Sequence, residues 1–457
     1  MASKRNHSPS HVHLPRKKRR LGLGPVLALT GAVTLLVLAA ALPLWLPAAL
    51  RIVPDRYIAA YAPEAIQEIA FARNPSAQLP TAGPAADEAS QLLEQLESTP
   101  ALAPTQQPTL TPPPDEESAQ ATPTNAIIQD GTSQAAAEDS PVEARLPSSY
   151  YLSGFTHTPQ GWNNCAPATI TMAMSYWEVG STQDEAAAFL KPNPEDRNVR
   201  PDEVAAYVES LGYSVTVRVN GNIRLIKELI TAGLPVMIES GFDPEPDRLG
   251  WMGHYILLTG YSDDESAFLA KDSNLGPTHS NSYHEFDCFW RPSTRLYIVP
   301  HRAEQAALVN AIIGEDMDDS SMYARAAQTA QFEASNAPND PYSWFNLGSS
   351  LVAQGQYGEA ATAYDRAREL GLPWRMLWYQ FGPYEAYYHT GRYEDVIALA
   401  DDTVRNNVYS EEAYYYEGLA RAALGETGDA RYLFTLALRY NSHYQAARQA
   451  IDSLPTS

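Results

Sequence analysis

The stretch QGWNNCAPAT, Gln160 to Thr169, places one of the chain's two cysteines at the start of a helix-compatible run, with Pro167 suited to an early helical position. A thiol at a helix start lies at the positive end of the helix dipole, which favours the thiolate, the nucleophilic form. A nucleophile needs a base, and His254 opens the apolar stretch HYILLTGY, which reads as a strand. Asp272 ends the next apolar run, in AFLAKDSN. Its carboxylate could accept a hydrogen bond from the second ring nitrogen of His254, fixing the tautomer and stabilising the cation. Gln160, upstream of the thiol, could donate its side-chain amide to a developing oxyanion beside the backbone N–H of Cys165. Together these four residues suit attack on an amide carbonyl through an acyl-enzyme that water then releases.

Blander roles stand beside each of these. Cys165 could be a buried small hydrophobe, or could form a disulfide with Cys288 in an oxidising compartment. His254 could be a satisfied core histidine, Asp272 a turn residue in DSN, and Gln160 a plain surface side chain. Cys288, flanked by apolar residues in HEFDCFW, reads as a buried free thiol. His279, His284, Asp287 and Cys288 lie near one another in sequence, but their spacing matches no zinc motif, and no Gly-rich phosphate loop occurs. No metal or cofactor is therefore expected.

The elements that must hold these residues run from about 148 to 301. APATITMAMSYWEV, RPDEVAAYVESLG and NIRLIKELITAG read as helices, and YSVTVRV, LPVMIES, HYILLTGY, AFLAKDS and RLYIVP as strands. Helices first and several strands in succession imply an α+β domain with a mostly antiparallel sheet. On QGWNNCAPAT, GHYILLTGY and KDSN, with GLPVMIES ahead of the histidine, this region resembles the papain-like cysteine peptidases, in the branch of bacteriocin-processing (double-glycine) peptidases and their stand-alone relatives. The resemblance implies Cys165 as nucleophile, His254 as base, Asp272 as orienting acid and Gln160 as oxyanion donor. It departs from the family at Ala166, where glycine is usual, and a methyl group there is expected to narrow the oxyanion region.

Beyond a linker and capping helix at 302–340, residues 341–457 repeat themselves. GQYGEA, GRYEDV and GETGDA recur, preceded by WFNLGSSL and YYYEGLARA. On Trp344, Leu347, Gly348, Tyr357, Ala360, Tyr364 and Ala367 this region resembles the tetratricopeptide repeat, an all-α array that implies a protein partner. The middle repeat is degenerate, with Tyr384 where a small glycine is expected.

The N-terminal part reads differently. Lys4, Arg5 and the run Arg16 to Arg20 precede an uncharged apolar run, residues 21–50, long enough to span a bilayer as a helix. The excess of basic residues before it puts residues 1–20 in the cytoplasm and the rest of the chain outside. The expected arrangement is a single-pass anchor, and cleavage near Ala39 to Ala41 is the alternative. Residues 51–72 read as a juxtamembrane helix and 73–147 as a disordered Pro-rich stalk, with a transient helix at EASQLLEQLES. A net charge of −22 argues against nucleic acid as a partner. The resulting expectation is a membrane-anchored extracytoplasmic cysteine peptidase acting on polypeptides. A non-catalytic peptide-binding scaffold, or a cell-wall amidase or acyltransferase using the same residues, stays open.

Overall fold

The computed structural model describes Leu46 and residues 78–98, 146–242 and 250–455. The basic arm at 1–20, the juxtamembrane helix at 51–72 and, Leu46 apart, the apolar run at 21–50 lie outside the described residues. Among the described residues no helix is long and apolar enough to cross a membrane.

Helix α1 (Ala86–Ser98) falls within the stretch expected to be a stalk. Leu79, Ala89 and Leu92 are buried in the same apolar cluster as Trp344 and Tyr364 of the repeats. The Leu79 N–H donates to the Leu372 carbonyl at 2.9 Å, and Arg368 donates to the carbonyl of Pro80. This corrects the expectation for residues 78–98. Their leucines and alanines cover too little apolar area to fold alone, but the repeats supply the complementary face.

The α+β domain comprises β1 (Ser149–Tyr151), α2 (Cys165–Ser175), α3 (Gln183–Leu190), α4 (Pro201–Ser210), β2 (Ser214–Arg218), α5 (Ile223–Thr231), β3 (Val236–Phe242), β4 (Met252–Ser262), β5 (Ala267–Asp272), β6 (Gly276–Ser282), α6 (Tyr283–Trp290) and β7 (Tyr297–His301). All the strand pairs are antiparallel, in the order β2-β7-β3-β4-β5-β6, with β1 added against the end of β4. Strand β4 is buried along its length from His254 because each face of the sheet is covered. Met237, Tyr255 and Leu257 pack with Ile170 and Met174 of α2, whereas Ile238, Ile256 and Leu258 pack with Leu229 of α5 and Trp290 of α6. Two-sided burial explains why β4 reads as an unbroken apolar run and not as an alternating one. Helix α2 is likewise buried from Ala166 to Met174 and has no polar face.

The domain's core runs past the expected boundary at 301. Helix α7 (Ala306–Ile313) contributes Val309 and Ile313 to the cluster around Trp290 and Tyr297. The acidic stretch that follows, within the expected linker, is tied down in part: Arg325 pairs with Glu315 and Asp316, and Arg218 with Asp319. Helix α8 (Asp319–Asn336) then packs its alanines against the repeats.

The repeat region is α9 (Pro341–Ala353), α10 (Tyr357–Leu370), α11 (Gly382–His389), α12 (Tyr393–Asn406), α13 (Glu411–Ala423), α14 (Thr427–Tyr440) and α15 (Gln445–Ser453). In the outer repeats a glycine admits an aromatic ring from the second helix. A Cβ at Gly348 would lie 2.8 Å from the Tyr364 ring, and one at Gly418 would lie 2.5 Å from Phe434. The middle repeat reverses the sizes. Tyr384 is buried on α11, while Ala400, the α12 residue equivalent in spacing to Tyr364 and Phe434, is small and buried. The Tyr384 hydroxyl lies 2.8 Å from Thr403 Oγ1. The degenerate repeat therefore keeps its packing by exchanging which helix supplies the large side chain.

Candidate active site

Helix α2 and strands β4 and β5 meet where the sheet opens. Strand β4 pairs with β5 only from Leu257 onward, so the backbone of Tyr255 on that edge is free to face α2. Thr169 on α2 donates its hydroxyl to the Tyr255 carbonyl at 3.0 Å, and a backbone hydrogen bond from Tyr255 reaches the sulfur of Cys165. The missing β4–β5 rungs are replaced by the helix that carries the thiol.

This docking brings three of the four expected residues together. The Cys165 thiol is hydrogen-bonded to His254, and His254 Nε2 lies 3.0 Å from Asp272 Oδ1. With Nε2 engaged by the carboxylate, Nδ1 is the ring nitrogen left for the thiol. His254 is 4% exposed and Asp272 0%. Asp272 Oδ1 also accepts the backbone N–H groups of Asn274 at 2.7 Å and Leu275 at 2.9 Å. The DSN segment is thus a turn and a carboxylate holder at once.

Burial and pairing act in opposite directions on these groups. Burial alone would raise the Cys165 thiol. The hydrogen bond and positive charge of His254, the Tyr255 backbone and the ammonium of Lys191 together bring it below its ordinary value. Burial would lower His254, yet the Asp272 carboxylate and the thiol push it up to about 10. Burial raises Asp272, but the His254 charge and the two backbone N–H groups hold it below the usual range. All three shifts favour a thiolate–imidazolium pair beside an ionised aspartate.

Gln160 is anchored to the residue after Asp272. Its backbone N–H donates to the Ser273 carbonyl at 2.9 Å, and Ser273 Oγ donates to Gln160 Oε1 at 2.8 Å. With the carboxamide oxygen committed, the amide nitrogen is the end left to donate. Ala166 is buried in the apolar cluster of α2, so its methyl group contributes to the core. Both cysteines are free, and Cys288 is exposed, which corrects the expectation of a buried thiol there. Cys288 lies on α6, whose inward side is taken by Tyr283, Phe286 and Trp290.

Several contributors carried no sequence signal. Buried Lys191 donates to the Asn163 carbonyl at 2.6 Å and to Asn164 Oδ1 at 3.2 Å. It thereby clamps the turn before the thiol, where Asn163 adopts a φ of 54°. Gln183 of α3 accepts from the Gly161 N–H and donates to the Pro159 carbonyl, holding the same segment from outside. His157 Nε2 lies 2.9 Å from the Asp272 carbonyl oxygen. These residues act through backbone geometry, which residue type and spacing do not disclose. Tyr379, in the connector between α10 and α11, sits against Gly253, where a Cβ would come within 2.9 Å of its ring. That close approach gives a physical reason for a small residue immediately before His254.

Family models match two segments of the chain. Residues 150–297 match the model of the Peptidase_C39 like family, and residues 341–371 match a tetratricopeptide repeat. The crystal structure of a protein from Bacillus anthracis described as a C39-like peptidase overlaps 34% of this chain and 98% of its own length, at 16% identity and a TM-score of 0.28. No curated protein matches the chain. The chain therefore joins a segment matching the C39-like peptidases to one matching the tetratricopeptide repeats.

Proposed function

We propose that this protein is a membrane-anchored cysteine peptidase that cleaves peptide bonds outside the cytoplasm. The observation that carries the reading is the relay Cys165–His254–Asp272, in which buried His254 lies 3.0 Å from buried Asp272 and the surroundings of Cys165 favour its thiolate. In the proposed reaction the Cys165 thiolate attacks the scissile carbonyl carbon, and the carbonyl electrons move onto oxygen. The oxyanion is met by the backbone N–H of Cys165 and the side-chain amide of Gln160. The intermediate collapses as His254 passes its proton to the leaving amine, which departs and leaves a thioester on Cys165. Neutral His254 then takes a proton from water, the resulting hydroxide adds to the thioester, and the acid product is released with the thiol regenerated. Asp272 keeps the ring oriented and supports its charge in both halves.

The run at 21–50 would hold the enzyme at the membrane, and the repeats would present substrate or recruit a protein partner. The test is to treat the full chain carrying Cys288→Ser, which removes the exposed second thiol, with a peptide carrying a thiol-reactive group and compare it with the same chain also carrying Cys165→Ala. Labelling confined to the chain that keeps Cys165, together with peptide hydrolysis that the alanine variant lacks, supports the reading. Equal labelling of both would remove it.

A further inference from the structure

Glu239 stands at the site with no part in the relay. It extends from the same face of β3 as Met237, toward α2, and is only 7% exposed. Its carboxylate makes no hydrogen bond or ion pair among the described residues. Burial and the neighbouring charge of Cys165 push it up to about 8. Trp251 lies across Gly241, two residues further along the same face, so closely that a Cβ there would strike the indole. The Trp251 indole N–H is buried without a hydrogen-bond partner among the described residues. Tyr379, reaching in from the repeats, meets Trp251 edge-on with ring centres 5.9 Å apart, within electrostatic reach of both Glu239 and Cys165.

A buried carboxyl group beside aromatic rings is suited to an ammonium or guanidinium ion. The carboxylate supplies the opposite charge, and the electron-rich ring faces add a cation–π attraction. A buried acid with no cation is costly, and a cationic ligand would offset that cost. Two nearby cations have other acceptors: Arg375 donates to the carbonyls of Gly250 and Trp251, and Lys191 to Asn163 and Asn164.

We propose that Glu239, Trp251 and Tyr379 form a subsite beside Cys165 that holds a cationic group of the substrate, a lysine-like amine or an arginine guanidinium, close to the scissile amide. This rests on the reading of Cys165 as the nucleophile of a peptidase. Because Tyr379 comes from the repeat region, the repeats take part in substrate choice directly and not only by recruitment.

The test uses the full chain carrying Cys288→Ser, which leaves Cys165 as its sole thiol. Methanethiosulfonates convert a thiolate into a mixed disulfide and release methanesulfinate, so their rates report what charge the cleft admits. The probes are the 2-(trimethylammonium)ethyl, 2-sulfonatoethyl and methyl reagents, used above the value of about 8 that Glu239 reaches. Relative to free cysteine, the cationic reagent should react about tenfold faster than the anionic one. Glu239→Gln should bring that ratio to within about twofold of free cysteine, the neutral methyl reagent serving to report any change in thiol reactivity common to all three reagents. An unchanged ratio in the glutamine variant overturns the subsite.

A paired assay compares fluorogenic peptides with lysine or norleucine at each position near the cleavage site. Glu239→Gln should raise KM about tenfold for the preferred lysine peptide alone. If the charge preference is present and lost in the variant while no peptide is cleaved, the subsite stands and the peptidase reading fails. Peptide cleavage indifferent to lysine, with a flat charge ratio, sinks the subsite and leaves the peptidase.

Discussion

The α+β domain and the repeats are built on opposite plans. In the repeats most contacts join a helix to its neighbour in sequence, as Gly348 does with Tyr364 and Gly418 with Phe434. In the α+β domain the groups that matter are brought together from residues 165, 254 and 272 by a sheet whose strand order is not the sequence order. The repeats can lose a contact locally, whereas the site depends on the whole sheet and on α2 replacing the missing rungs between β4 and β5. The two plans meet at the connector carrying Trp374 to Tyr379, whose Arg375 holds the backbone at Gly250 and Trp251 just ahead of the histidine strand.

Core truncation in each region tests this contrast with the largest effect on stability. Trp290 is fully buried and donates its indole N–H to the Leu296 carbonyl at 2.6 Å. Trp290→Ala should cost about 3–5 kcal/mol in denaturant unfolding and abolish peptide-probe labelling of Cys165. Phe434→Ala should cost a similar amount, about 3–5 kcal/mol, within the repeats, yet leave labelling unchanged below its unfolding transition. Loss of labelling in both variants would mean that the two regions are not separable in this way.

Within the site, Asp272→Asn removes the charge that holds His254 protonated. The Cys165 thiol should rise, and its alkylation at about pH 6 should fall about tenfold for each unit of that rise. An alkylation rate unaffected by the substitution would show that the relay ends at the histidine.

The junction between the regions has its own pH dependence. Asp196 lies against Glu411 and Glu412 of α13, and Asn198 donates to Glu412. Burial first, and then mutual repulsion, raise all three acids above their ordinary values. An acid whose folded value is raised contributes stability below its unfolded value, and that contribution is lost as pH rises through the folded value. The melting temperature should therefore fall from mildly acidic toward neutral and higher pH. Glu412→Gln should flatten part of that fall in thermal unfolding measured across pH. His254 has the same sign, its contribution being lost progressively from its ordinary value up through about 10. The smallest effect is expected at the exposed Arg405–Asp402 pair of α12, where Arg405→Ala should change stability by less than about 1 kcal/mol.

The contrast also decides what was legible in the sequence. Repeat signatures are local, so Trp344, Gly348 and Tyr364 disclosed their helix pair. Tyr384 was visible as a departure, but its compensation at Ala400 was not, because it depends on which side chain fills the gap between two helices. In the α+β domain, the apolar runs of β3, β4 and β5 and the helix start at Cys165 were readable from residue type. Strand β6 was not, since GPTHSNS has little apolar character and forms an edge, held by its pairing with β5. Docking of residues 78–98 escaped notice because a short, acidic helix becomes stable only through the surface it covers. Cys165, His254 and Asp272 could be named from their order along the chain, whereas Lys191 and Tyr379 reach the site from positions without any motif, and Glu239, although it lies in GLPVMIES, was given no chemical role there.

The most direct test is the pH profile of Cys165 alkylation by the neutral reagent iodoacetamide, in the full chain carrying Cys288→Ser. The relay predicts a midpoint below that of free cysteine. It also predicts that His254→Ala moves the midpoint above the ordinary value, because burial then acts with little to oppose it. A midpoint at the ordinary value of free cysteine, unmoved by loss of the histidine, would contradict it.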